Sequence, residues 1–101
     1  MIVISGTIPI NPDQRDAAIA AATVMQHATL AEPGCNVYRF SFAIDDPGLV
    51  CIQEEWVDQA ALDAHFASPH MAVFGSEMRN FVAGPGLLTK YIVASSGPLF
   101  G

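Results

Sequence analysis

Short apolar runs with β-branched residues alternate along this chain with stretches at helical spacing. Ile2 to Ile8 is short and β-branched, and Pro9 closes it, predicting a first strand. Asn11-Pro12-Asp13-Gln14 reads as a helix start, with Asn as cap, Pro at the first helical position and Gln as capping-box partner. The alanine-rich stretch from Asp13 to about Ala31 favours helix, and Glu32-Pro33-Gly34 stops it. Cys35 to Ile44 predicts a second strand, rich in Val37, Tyr38, Phe40 and Phe42. Asp45-Asp46-Pro47-Gly48 predicts a turn in which Asp bonds its own backbone, Pro sets φ and Gly permits positive φ. Leu49 to Val57 is then the third strand and completes a hairpin. Asp58 caps a short helix over 59–67, Ser68-Pro69 launches another over 69–82, and Gly84-Pro85-Gly86 ends it. Leu87 to Ala94 predicts a fourth strand, and Ser95 to Gly101 a loose tail or an arm reaching a partner.

The order β-α-β-β-α-β predicts an α+β, ferredoxin-like domain over residues 1–101, with a four-stranded antiparallel sheet and helices on one face. Alternation puts Val50, Ile52, Glu54 and Trp56 under the helices, and Cys51, Gln53, Glu55 and Val57 on the other side. That other side is expected to keep apolar side chains that must be hidden. With 51% of residues hydrophobic and only 14% charged, a homodimer with sheets face to face is the expected solution.

Composition narrows the function. Net charge is −6, and Arg15, Arg39, Arg79 and Lys90 are the only cations. Four scattered cations form no stripe for phosphates, which argues against nucleic acid and against an anionic membrane surface. No apolar run approaches the length of a membrane span, and no basic start precedes an apolar one. A cytoplasmic protein is expected, with Cys35 and Cys51 reduced and serving as packing residues.

The candidate chemistry sits between Glu54 and Met78. Glu54 points into apolar space, where a carboxylate either finds a donor or rises in pKa and carries protons; the competing reading is a solvated strand end. His65 lies two turns beyond Asp58 and one turn after Leu62, so it leans toward the core. There it is either a base or a core-edge histidine bonded to a carbonyl. His70, in the first turn of its helix, is kept neutral by the helix dipole, as a base or as an exposed helix-start residue. His27 reads as a surface residue complementing its helix dipole. Met71, Phe74, Met78 and Phe81 form an apolar helical stripe, either core or the wall of a cavity. A metal is not expected: His65 and His70 are five apart across a helix break, and no third ligand clusters with them in the chain.

Glu54-x-Trp56, Ala61-Leu62-x-x-His65 and Ser68-Pro69-His70 together resemble the signature of the antibiotic biosynthesis monooxygenase (ABM) family. Within that family the chain is most similar to the small quinol monooxygenase-like proteins. Pro12 and Gly34-Cys35 also resemble family positions. The resemblance implies a dimeric α+β barrel with a pocket between helices and sheet in each subunit. It implies oxidation of a quinol or polycyclic phenol by O2 without metal, flavin or other cofactor. It matches Trp56 to the family's pocket tryptophan, His65 and His70 to its motif histidines, and Glu54 to its strand carboxylate. Two family features are missing. Haem-degrading members carry an asparagine on strand one, and Ile2 to Ile8 has none. Some polyketide-oxidising members carry an amide four residues before the tryptophan, where this chain has Ile52.

Such a reaction needs a base for the phenolic proton, a dry pocket and donors for the oxyanion. His65 is the expected base, with His70 or Glu54 as relay. Trp56, Phe66, Met71, Phe74 and Met78 are the expected walls, and the Trp56 indole is a donor to a substrate oxygen. The alternatives are an isomerase or other proton-transfer enzyme acting on a small carbonyl substrate, and a non-catalytic dimeric barrel that binds a small ligand.

Overall fold

The computed structural model describes all residues from Met1 to Gly101. Its elements are β1 (Ile2–Pro9), α1 (Arg15–Leu30), β2 (Cys35–Ala43), β3 (Asp46–Trp56), α2 (Gln59–Phe66), α3 (Pro69–Met78) and β4 (Leu87–Ile92). The strands make one antiparallel sheet in the order β2-β3-β1-β4. This is the ferredoxin-like arrangement expected from the element order. α1 lies against β2 and α3, and α2 against β3, so the helices share one side of the sheet.

Register sorts the side chains. Phe40 stands opposite Ile52, Tyr38 opposite Glu54, and Ile4 opposite both Glu54 and Lys90. The helix-facing row of β3 is buried as expected: Val50, Ile52, Glu54 and Trp56. Ile2, Ile4 and Ile8 from β1, Met25 from α1, Tyr38 from β2, Leu62 from α2 and Phe74 from α3 are among the residues that pack with them in the core. Each such large side chain contributes about 1.5–3 kcal/mol by leaving water.

Two helix caps form as the sequence predicts. The Asp58 carboxylate accepts from the Ala61 N–H at 2.9 Å, and Ser68 Oγ accepts from the Met71 N–H at 3.3 Å. The first helix begins differently. Asn11 makes no side-chain cap; Pro12–Gln14 form a 3-10 turn and α1 starts only at Arg15. Asn11 instead donates its own N–H to the Phe81 carbonyl at 2.8 Å, which ties the start of the helical layer to its end.

The hairpin also differs from expectation. Its tight turn is Ile44-Asp45, and β3 already begins at Asp46. Asp46 does bond its own backbone, accepting from the Gly48 N–H at 2.8 Å. Gly48 has no positive φ; it is needed for close approach, because a Cβ there would stand 3.0 Å from the Ile10 carbonyl oxygen. The third helix stops at Met78 rather than running to residue 82. Past its end Phe81 remains buried and Val82 bridges to Ile10, so pairing with the end of β1 replaces the last helical turn.

The outer face of the sheet keeps apolar side chains among polar ones, as expected. By register Ser5, Thr7, Arg39, Ser41, Gln53 and Glu55 stand on it together with Val3, Val37, Cys51, Leu87 and Tyr91. Exposed apolar area concentrates on β4, at Leu87, Leu88, Tyr91 and Ile92, and on Leu99 and Phe100 of the tail.

Candidate active site

Glu32 organises the site. It follows α1 directly, just before Gly34 turns the chain into β2 with φ +83°. One of its oxygens, Oε2, lies 2.7 Å from His65 Nδ1 and 2.9 Å from His70 Nε2. A carboxylate only accepts, so His65 Nδ1 and His70 Nε2 both donate to it. On a neutral His65 ring the lone pair therefore sits on Nε2. His70 is partly exposed, with 23% of its side chain open, whereas His65 is buried. The Ser68 hydroxyl donates to the His65 carbonyl at 2.6 Å and also caps α3, which sets the spacing of the two imidazoles.

The His65 ring packs at 4.8 Å from Trp56 and 5.3 Å from Tyr38, centroid to centroid. Trp56 is fully buried, and its indole N–H donates to Glu54 Oε1 at 2.9 Å. The expectation that this N–H faces a substrate oxygen is therefore corrected: the donor is already taken by Glu54, two residues back on the same face. Burial raises the Glu54 carboxyl above the ordinary carboxylate range; the Trp56 N–H and His65 oppose the rise, and the Glu32 charge adds to it. Burial, reinforced by the Glu54 charge, also raises the Tyr38 hydroxyl, which stays protonated as a donor. Burial and then the negative charges of Glu32 and Glu54 push the Cys35 thiol up to about 11, consistent with a packing residue.

Beside this cluster lies a cavity of about 270 Å³ between the sheet and α2 and α3. Glu54, His65 and Tyr38 line one end, and Leu88, Thr89 and Lys90 of β4 the other. Phe66, Met71, Phe74 and Met78, the four expected substrate-binding residues, all line it, although Phe66 is more than half exposed at the rim. Trp56 and His70 do not reach the cavity. Trp56 stands behind Glu54 and His65; His70 turns away to Glu32 and borders a separate shallow hollow against α1.

The expectation that no third ligand joins the two histidines holds along the chain but not in space. Donor atoms of Glu32, His65 and His70 lie within 4.8 Å of one another, a donor set of the kind transition metals take. Both imidazole contacts converge on one oxygen at hydrogen-bond length, so the three groups already satisfy one another through protons. Glu32, Tyr38 and Lys90 were not singled out from sequence. Glu32 carried a signal, since a carboxylate beside a helix C-terminus opposes the helix dipole. Lys90 alternates with Leu88 and Ile92, which makes it a cation in a helix-facing position.

Comparison with known proteins follows the same lines. The family model described as antibiotic biosynthesis monooxygenase matches residues 1–76. The uncharacterized protein sll1783 of Synechocystis sp. (strain ATCC 27184 / PCC 6803 / Kazusa) is 30% identical over 98 residues, 97% of this chain and 67% of that one. The solved structure of Rv0793 from Mycobacterium tuberculosis superposes with a TM-score of 0.87 at 25% identity, covering 96% of this chain and 98% of that one. A crystal structure described as antibiotic biosynthesis monooxygenase matches equally well, with a TM-score of 0.87 at 25% identity and 94% and 100% coverage.

Proposed function

Since the chain belongs to the antibiotic biosynthesis monooxygenase family, we propose that it is a cytoplasmic, homodimeric monooxygenase that oxidises a quinol or polycyclic phenol with O2, using no prosthetic group. The single observation that carries this reading is the polar end of the cavity. There a buried imidazole, oriented by Glu32, lies beside a buried carboxylate and a phenol at one end of an apolar hollow.

O2 is a triplet and reacts slowly with closed-shell molecules, whereas a phenolate gives up an electron readily. His65 Nε2 takes the phenolic proton. The imidazolium that forms is stabilised by Glu32 at Nδ1 and by the nearby Glu54, in the manner of a carboxylate-supported base. Tyr38 donates to the developing oxyanion. Oxygen adds at the activated ring carbon. One oxygen atom stays as the new carbonyl; the other leaves as water, taking the ring hydrogen and the proton returned by His65. The net change is phenol plus O2 to quinone plus water. Glu54 serves as relay, and His70 acts one step away by holding Glu32.

The same base and carboxylate would also move protons without O2, which favours an isomerase as the second reading. Oxygen uptake with a dihydroxynaphthalene in the presence of the full-length protein tests the first. If uptake stays at the uncatalysed rate while deuterium exchanges at a substrate carbon under anaerobic conditions, the second reading replaces it.

A further inference from the structure

The cavity is polar at two ends and apolar between them. Register sets Tyr38, Glu54, Ile4 and Lys90 side by side across the sheet order β2-β3-β1-β4, on the helix-facing side. Two strand spacings separate Glu54 from Lys90, roughly 10 Å. Between them Phe66, Met71, Phe74 and Met78 supply only hydrocarbon, sulfur and aromatic surface.

Lys90 is one of four cations in a chain of net charge −6. It faces no carboxylate: both ion pairs of the molecule belong to Glu32, and the Lys90 ammonium donates only to the Gln59 amide oxygen at 3.1 Å. Of the remaining cations, Arg15 lies over the Phe42 ring, and neither Arg39 nor Arg79 lines the cavity. The rim of an apolar cavity thus includes an exposed lysine whose ammonium is held by a single neutral acceptor.

We propose that Lys90 recognises an anionic substituent of the substrate. The substrate class is then a fused-ring phenol that carries one carboxylate on the side away from its reacting hydroxyl. This deepens the oxygenase reading above and rests on it for the hydroxyl end. The dimensions agree. Two fused rings with hydroxyl and carboxylate at opposite ends are comparable in length to the roughly 10 Å between the strand positions of Glu54 and Lys90. A cavity of about 270 Å³ lies at the small end of ligand sites, suited to two or three rings. A single ammonium, without an arginine fork or a phosphate-binding loop, suits a monoanion rather than a phosphate.

The test is calorimetric binding of 1-naphthol and 5-hydroxy-1-naphthoate to the full-length protein, in the wild type, Lys90→Met and Lys90→Arg. The wild type is expected to prefer the acid by roughly tenfold or more, as one charge-assisted hydrogen bond supplies. Lys90→Met should bring that ratio close to one, and Lys90→Arg should restore most of it. A wild-type ratio near one, or a preference that survives Lys90→Met, overturns the proposal. If the Met variant does not fold, the wild-type ratio in high salt decides, since an exposed ammonium contact must weaken there. Oxygen uptake read in parallel separates the two proposals. A preference for the acid without uptake sinks the oxygenase and leaves Lys90 as an anion site. Uptake at equal efficiency with both compounds sinks the anion site and leaves the oxygenase.

Discussion

Glu32 oxygen Oε2 is shared by two imidazoles, and much of the proposed chemistry follows from that one atom. Replacing His65 by Ala should lower turnover by about 10²–10⁴-fold, the usual contribution of a positioned base, with the far-ultraviolet circular dichroism unchanged. An unchanged rate would remove His65 from the mechanism. Glu32→Gln keeps the shape but withdraws the charge that supports the imidazolium, so kcat should fall about tenfold or more with little change in KM. Glu54 makes a pH prediction. Its folded pKa is raised above the unfolded value, chiefly by burial, so its favourable contribution is complete below the ordinary carboxylate range and is lost as pH rises through the folded value. Glu54→Gln retains an acceptor for the Trp56 N–H and has no such penalty. Urea denaturation should therefore show this variant gaining on the wild type as pH increases from about 4 to 8; a difference that stays flat across that range would contradict the buried, raised carboxyl.

At the scale of elements, the joints carry more weight than the lengths of helices. Gly34 has φ +83°, and a Cβ there would stand 2.7 Å from both Ala61 and Val57. Its carbonyl also accepts from the Val57 N–H at 2.8 Å. Gly34→Ala should cost about 2 kcal/mol or more, measured as a lower urea midpoint, because it adds left-handed strain and pushes α2 off the β2–β3 corner. Ser68 couples α2 to α3 through two hydrogen bonds, so Ser68→Ala should cost about 1 kcal/mol. These joints were partly legible. The caps at Asp58 and Ser68, and Gly34 after a helix, could be read from local rules, because a cap bonds only to residues within one turn. The cap at Asn11 could not, because a distant carbonyl, that of Phe81, claims its backbone. The end of α3 was also hidden, since the competing partner for residue 82 is Ile10, far away in sequence.

For the whole molecule, β4 is the exposed edge of the sheet. All six of its residues are exposed, and Leu87, Tyr91 and Ile92 leave apolar area on an edge strand. Such an edge invites a partner. The proposed homodimer should sediment near twice the chain mass of 10.7 kDa, and the double variant Leu87→Glu, Tyr91→Glu should sediment as a monomer. A wild-type monomer would refute the pairing. No helix is long and apolar enough to cross a membrane.

Local chemistry in the sequence determined the strands, the helices, their order and hence the ferredoxin-like fold, because hydrophobic period and capping act over a few residues. It also determined which side chains face the helices, since strand alternation makes Glu54 and Trp56 neighbours on one face. Tertiary structure alone decided the composition of the site. It brought Glu32 to residues 33 and 38 positions further along the chain, turned the Trp56 N–H onto Glu54 rather than the cavity, and set Lys90 at the rim of the cavity that His65 lines. Those outcomes depend on which strands become neighbours and how helices settle on them, and no short-range rule specifies distances across a folded core.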